Sequence, residues 1–143
     1  MHTERLEKAK ASQINPVNLA FLGDAVYSLY VREKLVQSGT GKAGDLQRAS
    51  SKVVSAKGQS EFLERVLPLL TQDEEEIYKR GRNAKKATKS KSASVAEYAR
   101  STGFEAVLGY LYLTGQEERI NELLSLIEDT QLQGVSAQKV YKP

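Results

Sequence analysis

Two acidic residues stand in stretches that are otherwise almost entirely apolar. Asp24 lies in FLGDAV (residues 21–26), and Glu105 lies in FEAVLGYLYL (residues 104–113). A buried carboxylate without a partner is unstable, so each acid needs a cation, a metal ion or donated hydrogen bonds. Two carboxylates that converge in a sheltered site are ligands that Mg²⁺ prefers, with water completing its coordination. The pattern raises the hypothesis of a metal site in which Asp24 is shielded from water.

Each acid also has an ordinary structural explanation. Gly23 could end one helix so that Asp24 caps the next, and from its own segment alone this cap is the favoured interpretation. Glu105 could complement the positive N-terminal end of a helix that begins after a break near Gly103. Gly109, one turn beyond Glu105, would let another helix approach closely enough for the two acids to meet. The residues by themselves leave these alternatives open.

The elements that must position these acids are predicted to be helices. Apolar residues recur at spacings of three and four, and no segment shows the sustained alternation of a strand. Residues 16–37 form one helix, or two if Gly23 breaks it, after the capping pair Asn15-Pro16. The further helices are predicted at residues 45–58 with Asp45 as cap, at 59–70 with an end or kink at Pro68, from Asp73 towards Lys79, at 92–115 with a break near Gly103, and at 116–130. The fold class is therefore all-α.

Length and composition bound the protein class. With 143 residues the chain fits one domain, and its core is predicted between about residues 15 and 130. No apolar run approaches the length that spans a bilayer, and the absence of cysteine excludes disulfides and thiolate metal sites. These features fit a cytoplasmic protein.

The positive charge of the chain is concentrated in one stretch. Between residues 79 and 91, KRGRNAKKATKSK holds seven lysines and arginines and no acid, although the net charge of the whole chain is only +3. Such a concentration is typical of a surface that binds a polyanion, because phosphate contacts release condensed counterions. A solvated basic loop explains the same residues equally well.

Several of these segments together resemble the ribonuclease III endonuclease domain. FLGDAV resembles the signature helix of that domain, and FEAVLGYLYL resembles its second metal-binding helix, in the same order and with a similar separation. The opening NPVNLAFLGDAVY and the basic RGRNAK (residues 80–85) are similar to the Mini-ribonuclease III branch, whose members consist of the catalytic domain alone. The resemblance covers residues 15–129 and implies a single multi-helix catalytic domain over residues 1–143, without a double-stranded RNA-binding domain.

The resemblance implies a site and an activity. Asp24 and Glu105 take the positions of catalytic Mg²⁺ ligands, and Phe21 takes the position of a contact across a homodimer axis. The implied reaction is the hydrolysis of double-stranded RNA to 5′-phosphate and 3′-hydroxyl ends, in this branch during maturation of 23S-type ribosomal RNA precursors. Two further acids of the usual site are replaced by Ala20 and Thr102, which puts a full two-metal arrangement in doubt.

Without an accessory module, the catalytic domain must grip the RNA by itself. This consideration favours an RNA-binding role for the basic stretch, with Arg80 and Arg82 as bidentate phosphate clamps. The residues assigned to RNA binding are Lys79, Arg80, Arg82, Asn83, Lys85, Lys86, Lys89 and Lys91. The tyrosines of the helices are expected to pack in the core with satisfied hydroxyls rather than to stack on bases. The alternatives to an enzyme are a non-catalytic RNA-binding module, which retention of both acids argues against, and a helical scaffold without an RNA partner.

Overall fold

Helices form the regular structure of the chain. A computed structural model describes residues 4–39, 41–84 and 94–127, and within these ranges there is no strand. The predicted all-α class is confirmed. In chain order the elements are α1 (Lys8–Ser12), α2 (Pro16–Gln37), α3 (Ala43–Val54), α4 (Ala56–Val66), a 3-10 turn (Leu67–Leu69), α5 (Gln72–Arg82), α6 (Val95–Leu113) and α7 (Glu117–Ile127).

The first long helix, α2, begins as its sequence indicates. The Asn15 side chain accepts a hydrogen bond from the Val17 N–H at 2.8 Å, and Pro16 occupies the first helical position. The helix then continues through Gly23 to Gln37 without interruption. The interpretation of Asp24 as a helix cap is therefore wrong, because Asp24 lies inside a continuous helix.

The second long helix, α6, also continues through a glycine at which the sequence predicted a break. A Cβ atom on Gly103 would lie 2.7 Å from both the Tyr78 ring and the Tyr78 carbonyl oxygen, so only glycine permits this approach of α5. The prediction of a break was wrong because packing against α5 accounts for the glycine. It follows that Glu105 lies in the middle of α6 rather than near its start, and Glu97 is the acid in its first turn.

The crossing of α2 and α6 is close enough for main-chain atoms to touch. A Cβ on Gly23 would lie 1.7 Å from the Glu105 carbonyl oxygen, and a Cβ on Gly109 would lie 2.0 Å from the Leu19 carbonyl oxygen. The prediction that Gly109 permits a close helix approach is confirmed. The intrinsic cost of a glycine in a helix is accepted at both positions because no other residue fits.

The core is centred on α6. Between Ser101 and Leu111 every residue is buried except Glu105, which is half-buried. Tyr27, Phe62 and Phe104 form an edge-to-face cluster with ring centroids 5.5–6.2 Å apart. This cluster joins α4 to α2 and α6, the two helices that carry Asp24 and Glu105.

The junction between α3 and α4 differs from the predicted boundary. α3 begins at Ala43 and ends at Val54, and Asp45 lies in its first turn, where its side chain accepts from the Lys42 N–H at 3.4 Å. Ser55 is extended and caps α4 by accepting from the Gly58 N–H at 3.0 Å. The predicted helix over 45–58 is thus two helices, because a serine cap starts a new one at Ala56.

Most of the remaining boundaries follow the sequence, although the short helix α1 (Lys8–Ser12) was not predicted. α4 gives way to the 3-10 turn that contains Pro68, and α5 carries acids in its first turn and basic residues in its last. In α7 the predicted apolar face is buried; it consists of Ile120, Leu123, Leu124 and Ile127. None of the helices in the described ranges is long and apolar enough to cross a membrane.

Candidate active site

An open cleft lies where α2, the α3–α4 junction and α6 meet. It has a volume of about 540 Å³ and is lined on one side by α2 and on the other by α6. Its acidic and hydroxyl-bearing lining residues include Asp24, Ser51, Ser55, Ser101, Thr102 and Glu105. The two acids that the sequence singled out therefore face one cavity, although they are 81 residues apart in the chain.

Asp24 is exposed in the single chain. The buried stripe of α2 runs at a spacing of four residues through Leu19, Gly23, Tyr27 and Val31, and Asp24 lies about 100° around the helix from Gly23. The prediction that Asp24 would be shielded from water is therefore wrong for the isolated chain. Asp24 lines the cleft and is accessible to solvent there.

Glu105 is held more firmly than Asp24. It projects from the most buried part of α6 and accepts a hydrogen bond at Oε2 from the side-chain amide of Gln59, 3.0 Å away. The same amide nitrogen also donates to the Val54 carbonyl oxygen at 3.0 Å. The Glu105 carboxylate is thus connected through one side chain to the α3–α4 junction.

Gln59 is a site residue that the sequence reasoning missed. It is fully buried on α4. Its burial could have been predicted from the sequence. Gln59 precedes Phe62, Leu63 and Val66 by three, four and seven residues and therefore shares their apolar face. A lone amide on an apolar helix face is a signal for a buried hydrogen-bonding role.

Tyr27 belongs to the aromatic cluster and lies close enough to Glu105 to interact with it electrostatically. Burial raises the pKa of its hydroxyl well above the usual value, and the negative charge of Glu105 raises it further. Within the described part of the chain the Tyr27 hydroxyl oxygen has no hydrogen-bond partner. The expectation of a satisfied hydroxyl was therefore wrong at Tyr27, where the ring packs as predicted and the hydroxyl remains neutral.

Ala20 and Thr102 are the residues that, by the resemblance described above, replace two further acids of the ribonuclease III pattern. Both line the cleft, and Thr102 Oγ1 donates to the Tyr98 carbonyl oxygen at 3.0 Å. No group of three or more potential metal-ligating side chains occurs among the described residues. Two carboxylates beside several hydroxyls fit a hard cation such as Mg²⁺, which keeps most of its water ligands.

The described part of the basic stretch forms the end of α5. Lys79 is exposed, with its amine 4.0 Å from a Glu75 carboxylate oxygen, and Arg82 lies over the Tyr78 ring with 5.5 Å to the centroid. Arg80 donates to the carbonyl oxygens of Ser12 and Ile14, so it also ties α5 to the chain that enters α2.

Asn83 follows as the C-terminal cap residue of α5 and is exposed. The other predicted RNA-binding residues, Lys85, Lys86, Lys89 and Lys91, lie outside the described residues. The assignment of this stretch to RNA binding stays a prediction.

Phe21 is the most exposed large apolar side chain of the described residues. It is 84% exposed, three positions before Asp24 on α2, and it lines the cleft rim. Residues three apart on a helix are neighbours on its surface. An apolar ring beside the acidic rim is a surface that a second molecule could cover.

The sequence of the chain places it in a known family. The family model described as "Ribonuclease III domain" matches residues 17–116, which include both acids of the cleft. The chain belongs to the ribonuclease III domain family. It is an endoribonuclease of the ribonuclease III type, and its similarity to the Mini-ribonuclease III branch, predicted from the motifs, is confirmed by the relatives.

Two curated relatives and one solved structure illustrate this similarity. A Mini-ribonuclease 3 from Symbiobacterium thermophilum is 48% identical over 80% of this chain and 88% of the relative. A Mini-ribonuclease 3 from Streptococcus pneumoniae is 50% identical over 78% of this chain and 89% of the relative. The crystal structure of a protein from Fusobacterium nucleatum superposes with a TM-score of 0.75 at 32% identity, covering 82% of this chain and 93% of that one.

Proposed function

We propose that this ribonuclease III-type enzyme uses Mg²⁺, held by Asp24 and Glu105, to hydrolyse phosphodiester bonds in double-stranded RNA. The observation that carries the proposal is that these two carboxylates, from different helices, line one open cleft. Hydrolysis adds water across the bond between phosphorus and the 3′ oxygen, so the products are a 5′-phosphate and a 3′-hydroxyl. The resemblance to Mini-ribonuclease III supports a 23S-type ribosomal RNA precursor as substrate, met in the cytoplasm.

The donor set of the cleft supports the choice of Mg²⁺. Asp24 and Glu105 supply two hard, negatively charged oxygen ligands, and the hydroxyls of Ser51, Ser55 and Ser101 line the same cavity. When bound, such an ion lowers the pKa of a coordinated water and neutralises charge that develops on the phosphate. The openness of the cleft leaves room for an RNA strand to reach the two carboxylates.

The charges at the end of α5 support an RNA partner. Lys79 and Arg82 are exposed there and lead into the remaining lysines of the basic stretch. Lysine and arginine side chains neutralise phosphates and make binding dependent on salt concentration. An A-form duplex is recognised largely through its shape and its phosphates, which such side chains can contact.

A homodimer formed through Phe21 would suit a duplex substrate. Two sites related by a twofold axis can act on the two antiparallel strands. Phe21 stands beside Asp24 and would be removed from water by a second copy of α2, which stabilises association by about 2 kcal/mol for a large apolar side chain.

The central experiment is cleavage of a defined RNA duplex by wild type and Asp24→Asn, with and without Mg²⁺, with mapping of the ends. We expect Asp24→Asn to lose activity by about 100-fold or more, because a neutral amide is a much poorer ligand for Mg²⁺. The fold should be unaffected since Asp24 is exposed. Duplex binding, measured by fluorescence anisotropy at several salt concentrations, should be retained.

Asp73→Asn is a matched control, because Asp73 is also an exposed aspartate on a helix, in the first turn of α5, but lies outside the cleft. It should cleave like wild type. Full activity of Asp24→Asn would overturn the site assignment. A wild-type protein that binds the duplex but leaves it intact with Mg²⁺ would favour the non-catalytic RNA-binding module instead.

The dimer contact is tested separately by Phe21→Ala in sedimentation equilibrium. Since Phe21 is largely exposed in the single chain, the variant should keep its helical circular dichroism. Its dimer dissociation constant should be higher than that of wild type by roughly tenfold or more. Leu69→Ala, which removes another exposed apolar side chain from the 3-10 turn, should leave association unchanged. Equal association of Phe21→Ala and wild type would refute the contact.

A further inference from the structure

We propose that Gln59 is a positioning residue, which fixes the Glu105 carboxylate in the orientation that receives the metal ion. The inference rests on the proposed function, in which Glu105 is a metal ligand. Its basis is the pair of 3.0 Å hydrogen bonds from the Gln59 amide nitrogen, one to the Val54 carbonyl and one to Glu105 Oε2. Gln59 does not itself touch substrate in this proposal.

The orientation of the Gln59 amide is determined by its neighbours. Both contacted groups, the Val54 carbonyl and the Glu105 carboxylate, are acceptors, so only the NH₂ end of the amide can face them. That end has two hydrogens, and both are used. A flipped amide would point its oxygen at two other oxygens, which electrostatic repulsion forbids. The hydrogen bond to Val54 therefore directs the second hydrogen towards Glu105.

The anchor of this arrangement is rigid. Val54 is the last residue of α3, and Ser55 begins α4 with a side-chain cap, so the carbonyl that orients Gln59 belongs to a fixed helix junction. Gln59 itself is fully buried, beside Phe62 and Leu63 of the same helix face. The Glu105 carboxylate thus takes its orientation from the core rather than from solvent.

Packing alone does not explain an amide at position 59. The Gln59 oxygen Oε1 is buried without a hydrogen-bond partner in the described part of the chain, which is unfavourable. A methionine would fill nearly the same space without a buried, unpaired oxygen. What methionine cannot supply is the two N–H donors, so the advantage of glutamine lies in the contacts that those donors make.

A neutral donor suits a metal ligand. The amide orients the carboxylate and leaves its negative charge in place, so that this charge can act on a cation that enters the cleft. Partners that orient a metal ligand in this way strengthen metal binding, and their loss weakens it between about tenfold and 100-fold.

The test is Mn²⁺ binding to the RNA-free protein, followed by electron paramagnetic resonance of the free ion, for wild type, Gln59→Met and Glu105→Gln. We expect Gln59→Met to bind Mn²⁺ about tenfold more weakly, and Glu105→Gln to lose the site. In cleavage assays Gln59→Met should need about tenfold more Mg²⁺ for half-maximal rate, recover activity at high Mg²⁺, and keep the wild-type KM for RNA.

Gln116→Met is the matched control. Gln116 also donates a side-chain hydrogen bond, to Thr114 Oγ1 at 2.8 Å, but stands away from the cleft between α6 and α7. Gln59→Asn is the second variant if Gln59→Met does not fold, as judged by thermal unfolding without metal. Its shorter side chain cannot reach both acceptors, so its Mn²⁺ affinity should also fall.

The outcomes separate this inference from the proposed function. If Gln59→Met and Gln59→Asn bind Mn²⁺ as tightly as wild type while Glu105→Gln does not, Gln59 has only a structural role and the inference is overturned. If Glu105→Gln binds Mn²⁺ like wild type, the metal assignment itself fails and the positioning role fails with it. A tenfold loss in the Gln59 variants, absent in Gln116→Met, is the result that supports positioning.

Discussion

Glu74 on α5 and Glu105 on α6 are both glutamates set into the packed part of the molecule, but their surroundings differ. Glu74 is buried and paired with Arg119 of α7, whose Nε and Nη2 donate to both carboxylate oxygens at 2.9 Å. Glu105 is half-buried at an open cleft and accepts from the neutral amide of Gln59. One carboxylate has its charge neutralised inside the fold, whereas the other lies where an external cation can reach it.

The pKa of Glu74 reflects this internal pairing. Burial by itself would raise the pKa of the carboxyl, but the hydrogen bonds from Arg119 and Thr71 and the charge of Arg119 outweigh burial and hold the pKa below its usual value. The same pairing raises the pKa of the Arg119 guanidinium. We infer that Glu74, a buried acid paired with a cation of the same chain, serves stability, and we propose that Glu105, which lines a cavity, serves as a ligand.

The largest effect is expected from Gly23→Ala, which disturbs the helix crossing next to Glu105. The new methyl group would overlap the Glu105 carbonyl oxygen at 1.7 Å, so α2 and α6 must move apart. We expect a loss of about 3 kcal/mol or more in the free energy of unfolding, measured by urea denaturation, together with a loss of duplex cleavage at temperatures where the variant is folded.

Gly44→Ala is its control. A methyl group there meets Arg48 at an ordinary 3.6 Å near the start of α3, so the variant should be unchanged or more stable by about 0.5 kcal/mol, and active. A fully stable and active Gly23→Ala protein would contradict the close crossing of the two helices.

An effect on stability alone is expected for Glu74, the other glutamate of the comparison, from Arg119→Met. Loss of one partner of a buried ion pair should cost about 3 kcal/mol in unfolding free energy at pH 7, while cleavage below the melting temperature stays near wild type. Glu122→Gln, which alters only the exposed partner of Arg119, should cost no more than about 0.5 kcal/mol. Loss of cleavage in folded Arg119→Met would contradict the inference that Glu74 serves stability and Glu105 serves the site.

The pH dependence of the Arg119→Met effect has a definite sign. Because the pKa of Glu74 is lower in the folded than in the unfolded wild type, the stabilisation by the pair is complete above the unfolded pKa and disappears as the pH falls through the folded one. The difference between wild type and Arg119→Met should therefore shrink below about pH 4. A difference that stays constant down to pH 3 would show that Glu74 does not carry the effect.

Much of the fold was predictable because local signals determined it. The Asn15-Pro16 start of α2, the acids of the first turn of α5 and the apolar face of α7 all act within one or two helical turns, and the structure agrees with each. The two predicted glycine breaks, one possible at Gly23 and one near Gly103, failed for a common reason. Glycine is compatible with both a helix end and a close helix contact, and only the position of a distant helix decides between them.

The candidate site was predictable in part. Asp24 and Glu105 stood out as acids in apolar segments, and the shared cleft agrees with their pairing. The exposure of Asp24 was not predicted, because a helical wheel shows which residues share a face but not how far a neighbouring helix extends over them. Gln59 was missed since its two partners lie five and 46 residues away, on α3 and α6.

The main-chain contact at the crossing of α2 and α6 has a consequence for how this enzyme can be engineered. The separation of the helices that carry Asp24 and Glu105 is set by backbone atoms at Gly23 and Gly109, not by the sizes of side chains between them. Replacements on α7, such as at Leu124 or Ile127, can therefore change thermal tolerance without altering the separation of these two helices. Thermostabilised variants of this protein are best sought among those positions, with the two glycines left untouched.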